Sequence, residues 1–270
     1  MLPSSARPSG RRRKTLTKLG TLFFVLVAVA GAWAGEITIA FTNDLHAYVD
    51  NLRAWKSVLS GADLILDAGD TWEDTARGTK APEAWATMEA MGELGYDAMV
   101  LGNHETYLGT QVLKEVIAAA PFPVLATNLR SDLPTQRWVL LQAGGLRVLV
   151  LGVMWDLVLR WPGWELLDPL ESVQAALAEA PDHDLRILLA HVDLQRGKAL
   201  AQALPELHLM ILGHNHLALE QPIWVGSVPL VQAGAHGRTL GLVRMNKTGF
   251  VSYQLLSRPV GAVLIGAAPC

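Results

Sequence analysis

The sequence predicts an α/β fold, a four-layer αββα sandwich of two mixed β-sheets flanked by helices. Three observations carry that expectation. From residue 36 to residue 212, apolar runs of strand length alternate with helical stretches. After residue 212 no helical stretch is evident, and strands follow one another with Gly, Asn and Pro between them. The 270-residue chain is 51% hydrophobic, which is enough for one sizeable core. Each sheet must cover an apolar face, so two sheets are expected to pack face to face with helices outside.

The elements follow in order. A strand at 36–42, built on Ile37-Thr38-Ile39-Ala40-Phe41, leads to a helical stretch near 52–60 and a strand at 63–67. A helix over 82–94 is well punctuated, with Pro82 opening it and Gly95 just past its end. A strand at 97–101, a helix near 109–119 closed by Pro121, and a strand at 122–126 come next. Runs at 138–142 and 146–153 flank Ala143-Gly144-Gly145 and read as a hairpin. A helix at 169–180, a strand at 186–190, a helix at 194–204 and a strand at 207–212 follow. Strands at 222–225, 229–233, 239–245 and 250–257 complete the pattern, the last two joined through Asn246-Lys247-Thr248-Gly249. The Trp-rich loop at 155–164 reads either as a packed surface loop or as part of a substrate rim.

Residues 1–34 are expected to be a signal peptide, and residues 35–270 the functional domain. Arg11, Arg12, Arg13, Lys14 and Lys18 form a basic start, 19–32 is apolar, and Ala32-Trp33-Ala34 offers a small-x-small cleavage site before Gly35. The apolar run falls just short of the roughly 18 residues that span a bilayer, so a cleaved signal is favoured over a membrane anchor. A periplasmic or secreted protein follows. A Sec-type signal suits the layout better than a twin-arginine one, which the residues after the paired arginines match only loosely. Beyond residue 34 the chain has 16 basic and 25 acidic residues, a net charge of −9. That balance argues against binding nucleic acid or an anionic membrane through general electrostatics. It permits a phosphate substrate if bound cations reverse the sign locally. Cys270 is the only cysteine, so no intrachain disulfide is available.

Five short clusters rich in His, Asp and Asn each follow a predicted strand. They are Asp44-Leu45-His46, Gly69-Asp70, Gly102-Asn103-His104-Glu105, Ala190-His191 and Gly213-His214-Asn215-His216. Ligands gather at strand ends on one edge of an open α/β sheet. Mixed nitrogen and oxygen ligands suit Mn, Zn or Fe rather than calcium. A pair of divalent ions about 3.5–4 Å apart needs a shared ligand, and the two oxygens of a carboxylate such as Asp70 supply one. Asp44 and His46 suit one ion and Asn103 offers a neutral oxygen to the other, with His191, His214 and His216 completing the shells.

Together the five clusters resemble the signature of the calcineurin-like metallophosphoesterases. The segments Phe41-Thr42-Asn43-Asp44-Leu45-His46 and Leu66-Asp67-Ala68-Gly69-Asp70 are similar to the 5′-nucleotidase branch. So are Phe122-Pro123-Val124-Leu125-Ala126-Thr127-Asn128 and the glycine-rich stretch 234–241, and the likeness covers roughly residues 36 to 245. The resemblance implies one metal held by Asp44, His46, Asp70 and His216, and a second held by Asp70, Asn103, His191 and His214. It implies a hydroxide bridging the two that attacks phosphorus, with His104 steadying the transition state and protonating the leaving oxygen. Asn128 and Arg130 are candidates to approach the phosphate of a small ester, with a nucleotide as one candidate substrate. His183 and His208 are expected to be structural, and His236 is a weak candidate to line the cleft.

Two departures from the branch stand out. Typical 5′-nucleotidases place an Asp three residues after the catalytic His, and here that position is Tyr107. They also carry a C-terminal domain that holds the base, and this sequence ends before one could begin. The expected function is therefore an exported dimetal phosphoric-ester hydrolase, with a partner protein as one source of substrate specificity. The alternatives are a sulfur-ester hydrolase of the periplasmic thiosulfate-oxidation type and a metal-binding module without turnover.

Overall fold

The computed structural model describes residues 35–73, 81–155 and 161–257, so the expected signal peptide lies outside the described residues. The first half contains β1 (Glu36–Thr42), α1 (Val49–Arg53), α2 (Lys56–Leu59), β2 (Leu64–Asp67), α3 (Ala81–Leu94) and β3 (Ala98–Val100). A 3-10 turn (His104–Leu108), α4 (Thr110–Ala119), β4 (Val124–Leu125) and β5 (Leu129–Arg130) follow. The second half runs through β6 (Trp138–Ala143), β7 (Leu146–Met154), β8 (Glu165–Leu166), α5 (Pro169–Glu179), β9 (Leu185–His191), α6 (Leu194–Ala203) and β10 (Leu209–Leu212). It closes with β11 (Ile223–Val225), β12 (Val228–Val231), β13 (Thr239–Asn246) and β14 (Gly249–Ser257).

Two six-stranded sheets form, in the orders β14-β13-β1-β2-β3-β4 and β11-β12-β10-β9-β7-β6. Both are mixed. In the first, β1 to β4 are parallel while β13 runs antiparallel to β1. In the second, β12, β10, β9 and β7 are parallel, with β11 and β6 antiparallel at the edges. The period of two along each strand then sorts side chains into separate layers. Ile37, Ile39 and Phe41 of β1 face Val148, Val150, Ile187, Leu189 and Ile211 across the space between the sheets. The opposite side of the first sheet is covered by α1 to α4 through Leu52, Leu59, Met88, Met91, Leu113 and Val116. The opposite side of the second is covered by α5 and α6 through Val173, Ala176, Leu200 and Ala201. Three apolar layers separate four layers of secondary structure, as the sequence pattern predicts.

The sheets come closest where Gly152 of β7 faces the first sheet. A Cβ there would stand 2.7 Å from Val100 and from Leu125, closer than carbon atoms approach, so only glycine fits. Thr127 ties the same spot, donating its N–H to the Gly152 carbonyl and accepting from the Gly152 N–H.

Local departures from the sequence reading have local causes. The stretch expected as one helix near 52–60 is two short helices, with Trp55 turned inward between them to donate Nε1–H to the Gly237 carbonyl at 2.9 Å. Only Val124 and Leu125 of the expected strand at 122–126 pair as strand. The β5–β8 ribbon and the 3-10 turn went unforeseen, because two-residue strands and a single turn carry no readable period.

Candidate metal centre

The centre is assembled at the C-terminal ends of β1, β2, β3, β9 and β10, where the parallel strands of both sheets end at one edge. The loops after β1 and β2 are laced together by main-chain bonds. The N–H groups of Asp44, His46 and Ala47 donate to the carbonyls of Gly69, Asp70 and Thr71 at 2.8–2.9 Å. Asn43 braces the first loop from beneath. Its amide donates to Asp44 Oδ2 and to the Gly234 carbonyl, and its Oδ1 accepts from the Ala233 N–H. The His214 N–H, from the other sheet, donates to the Asp44 carboxylate at 3.0 Å. The His104 N–H donates to Asp70 Oδ1 at 2.8 Å.

Main-chain geometry marks the same residues. Among the described residues, the non-glycine positions with positive φ are Asp44, His46, Ala47, Asp70, His214, His216 and His236. Five of these are expected ligands. A left-handed backbone costs an L-residue roughly 1–2 kcal/mol, and such strain concentrates where function over-determines the chain.

The side chains converge in two groups, Asp44–His46–His216 and Asp70–His191–His214, within each of which the ligand atoms lie within 4.8 Å of one another. In the first, Nε2 of His46 is 3.1 Å from Nε2 of His216, which is 3.5 Å from Asp44 Oδ1. In the second, His191 Nε2 is 3.0 Å from Asn103 Oδ1 and 3.1 Å from Asp70 Oδ2, and His214 Nδ1 is 3.0 Å from the same Asn103 oxygen. Outer contacts fix which ring nitrogen faces in. His46 Nδ1 donates to the Glu73 carbonyl at 2.9 Å and His191 Nδ1 to the Ala68 carbonyl at 2.7 Å. Each ring therefore turns Nε2 towards oxygen and nitrogen acceptors, an arrangement that calls for a cation. The donor set fits two divalent ions.

The electrostatics agree. Burial pushes Asp44 up to about 7. Burial lowers His216, and with the neighbouring His46 takes it down to about 4. Burial also works against a charged His191, but the Asp70 and Asp44 carboxylates outweigh it and hold the ring up near 10. Burial would raise Asp70 in turn, yet the His191 charge keeps it below the usual carboxylate range. A buried cluster that draws a proton onto an imidazole this strongly is one in which metal binding and proton release compete for the same atoms.

Two glutamates complete the centre, and neither had a role assigned from sequence. Glu105 is fully buried and accepts from the N–H groups of Asp70, Thr71, Trp72 and Gly102 at 2.7–3.2 Å. It binds the loop after β2 to the loop after β3. Glu73 is buried too, and its Oε2 accepts from His104 Nδ1 at 3.1 Å. That bond is the chief reason His104 is raised above the ordinary histidine range. The available signal was an acid directly following Gly69-Asp70-Thr71-Trp72, but its partner lies 31 residues away. The His104 ring sits edge-on to His46, with centroids 4.9 Å apart.

The remaining candidates separate. Asn128 is fully buried and ties the main chain together. Its amide donates to the carbonyls of Met154 and Leu167, and its Oδ1 accepts from the Met154 N–H. Without it those main-chain groups would be buried without partners. Arg130 is exposed and pairs with Glu165. His183 and His208 flank Arg186, the first accepting from its Nε and the second from its main-chain N–H. The His236 ring lies 4.5 Å from Tyr48 and 5.7 Å from both His46 and His216, beside the first ligand group. Of the aromatic loop, residues 156–160 lie outside the described residues. Trp155 donates its N–H to the His191 carbonyl, and Trp161 Nε1 donates to the Thr106 carbonyl, at 3.1 Å each.

Comparison with known proteins matches residues 37–218 to the sequence model of the calcineurin-like phosphoesterases. The chain is 26% identical over 239 residues to the uncharacterized metallophosphoesterase YunD of Bacillus subtilis, covering 78% of this chain and 50% of that protein. It is 27% identical over 289 residues to human 5′-nucleotidase, covering 86% of this chain and 50% of that enzyme. The crystal structure of a 5′-nucleotidase precursor from Thermus thermophilus superposes with a TM-score of 0.69 at 24% identity, over 82% of this chain and 54% of that one. That likeness establishes the fold. The chain thus spans about half the length of each of these proteins.

Proposed function

The chain belongs to the calcineurin-like phosphoesterase family, and from that premise we propose that it is an exported hydrolase of small phosphoric esters, of the 5′-nucleotidase type, dependent on two divalent ions. The observation that carries this reading is the convergence of the two ligand groups with the His104 ring beside them. Asp44, His46, Asp70 and His216 would hold one ion, and Asp70, Asn103, His191 and His214 the other. Once bound, the two ions supply Lewis acidity to the phosphoryl oxygens and lower the pKa of the attacking water. Nitrogen and oxygen donors of this mixture suit Mn, Zn or Fe.

The protein's own groups do the rest. The carbonyls of Ala68 and Glu73 hold Nδ1 of His191 and His46 protonated, which keeps their Nε2 lone pairs available. Asn103 contributes an uncharged oxygen, so its shell carries less negative charge opposite an anionic substrate. His104, with Nδ1–H held by Glu73, carries at Nε2 the proton that the departing oxygen takes. Export rests on the basic and apolar composition of residues 11–34.

The test is turnover of a phosphomonoester, a phosphodiester and nucleoside monophosphates by protein loaded with Mn or with Zn. His104→Ala is expected to lower kcat about 100-fold or more while two ions stay bound, and Asp70→Ala to lose both ions. Full occupancy with no turnover on any ester would overturn the hydrolase reading. Two ions retained by Asp70→Ala would overturn the shared-ligand assignment.

A further inference from the structure

We propose that Glu73 is the positioning residue for His104, gripping its Nδ1–H so that the protonated ring is turned to present Nε2–H to the leaving oxygen. This rests on the hydrolase reading above. Tyr107, one 3-10 turn beyond His104, has no carboxylate to offer. Its ring instead meets the His104 ring edge-on, with centroids 5.4 Å apart. The acid comes from another segment. Glu73 lies on the loop after β2, its side chain is only 2% exposed, and its Oε2 stands 3.1 Å from His104 Nδ1. A carboxylate can only accept there, so Nδ1 carries a hydrogen held by Glu73, and in the doubly protonated ring the Nε2 hydrogen is the one free to pass to the leaving oxygen.

The loop that presents Glu73 is held on both sides. Glu105 takes the N–H groups of Asp70, Thr71 and Trp72, the three residues before it. Trp72 itself is fully buried. The Glu73 carbonyl accepts from His46 Nδ1 at 2.9 Å. One residue therefore orients two imidazoles, a candidate ligand through its main chain and the proton donor through its side chain. Replacing the side chain leaves the carbonyl in place, so the two roles are separable by mutation.

Proton donation matters most when the leaving oxygen is strongly basic. Glu73→Ala should therefore lower kcat about 100-fold for an alkyl phosphate and by a small factor for a 4-nitrophenyl phosphate. KM is expected to stay within about threefold and metal content unchanged. Side chains at i and i+3 of a 3-10 turn eclipse, so a carboxylate at 107 is placed to reach the same nitrogen. Glu73→Ala combined with Tyr107→Asp should recover at least tenfold on the alkyl ester. Equal loss on both esters, loss of metal, or no rescue by Tyr107→Asp would each overturn the proposal. A second readout does not need turnover. The His104 ring proton on Nδ1, assigned by its disappearance in His104→Gln, should resonate strongly downfield in wild type and lose that shift in Glu73→Ala. If wild type hydrolyses no ester but this shift is present and Glu73-dependent, the positioning contact stands and the hydrolase reading fails. If the wild-type signal shows no Glu73 dependence, the positioning proposal fails whatever the activity.

Discussion

Beneath the ligands, Asp67 closes β2 without bonding to the candidate ligands, and it couples folding stability to pH. Its carboxylate accepts from the Thr42 and Thr71 hydroxyls and the Gly69 N–H, and Thr42 also meets the Tyr96 hydroxyl at 2.7 Å. Burial pushes it up to about 7 in spite of those donors. A carboxyl raised in the folded state favours folding fully below its ordinary value near 3.8 and loses that contribution as pH rises through about 7. Urea titrations of metal-free protein between pH 4.5 and 7.5 should show an Asp67-dependent decline of up to about 1.4 kcal/mol per pH unit. Asp67→Asn, which mimics the protonated acid, should flatten it. An unchanged slope would show that the charge is satisfied in place. At this scale the sequence was legible where chemistry confines residue type. His, Asp and Asn after a strand stand out, and the structure brings the seven expected ligands into two neighbouring groups. The supporting carboxylates of Glu73 and Glu105 were not legible as supports, because an acid shows its function only through a partner that the fold delivers.

Among elements, the loop after β1 carries unusual conformational cost. Asp44, His46 and Ala47 all have φ near +50°, and of the three only Ala47 offers no ligand. The strain at 47 thus brings no metal contact, while its N–H still donates to the Thr71 carbonyl at 2.8 Å. Ala47→Gly should stabilise the protein by about 0.5–1 kcal/mol, since glycine occupies left-handed space without a Cβ clash. Chemical denaturation with metal content checked in parallel measures this, and destabilisation would mean that the methyl group's packing outweighs the relief. A neighbouring constraint comes from Gly102, where a Cβ would stand 2.1 Å from Asp70 Oδ1, so the loop after β3 can press against that carboxylate only as glycine. Element existence was readable because long apolar runs leave a period behind them. Two-residue strands leave none, and the break at Trp55 reflects a bond to Gly237 that lies 182 residues away.

For the whole molecule, each ligand group draws on both sheets. Asp44, His46, Asp70 and Asn103 follow strands of the first, while His191 ends β9 and His214 and His216 follow β10 of the second. Ions bound there would add to the apolar packing and the hydrogen bonds, such as His214 N–H to Asp44, that already join the two layers. Saturating Mn or Zn should raise the thermal midpoint, by an amount equivalent to about 2.7 kcal/mol per ion at a hundredfold excess over Kd. A chelator should reverse the gain, and an equal rise in Asp70→Ala would place the stabilising ion elsewhere. Sheet order was the least legible level, since β13 returns from the end of the fold to pair with β1 through contacts about 200 residues apart. The division of ligands between the sheets also bears on synthesis. While the chain is being made, the first four donors exist long before the three histidines that complete the set. No complete ligand set is available until β9 and β10 have docked, so full occupancy of both sites would require both sheets. For a chain carried across a membrane unfolded, the choice of metal would fall to the compartment in which it arrives.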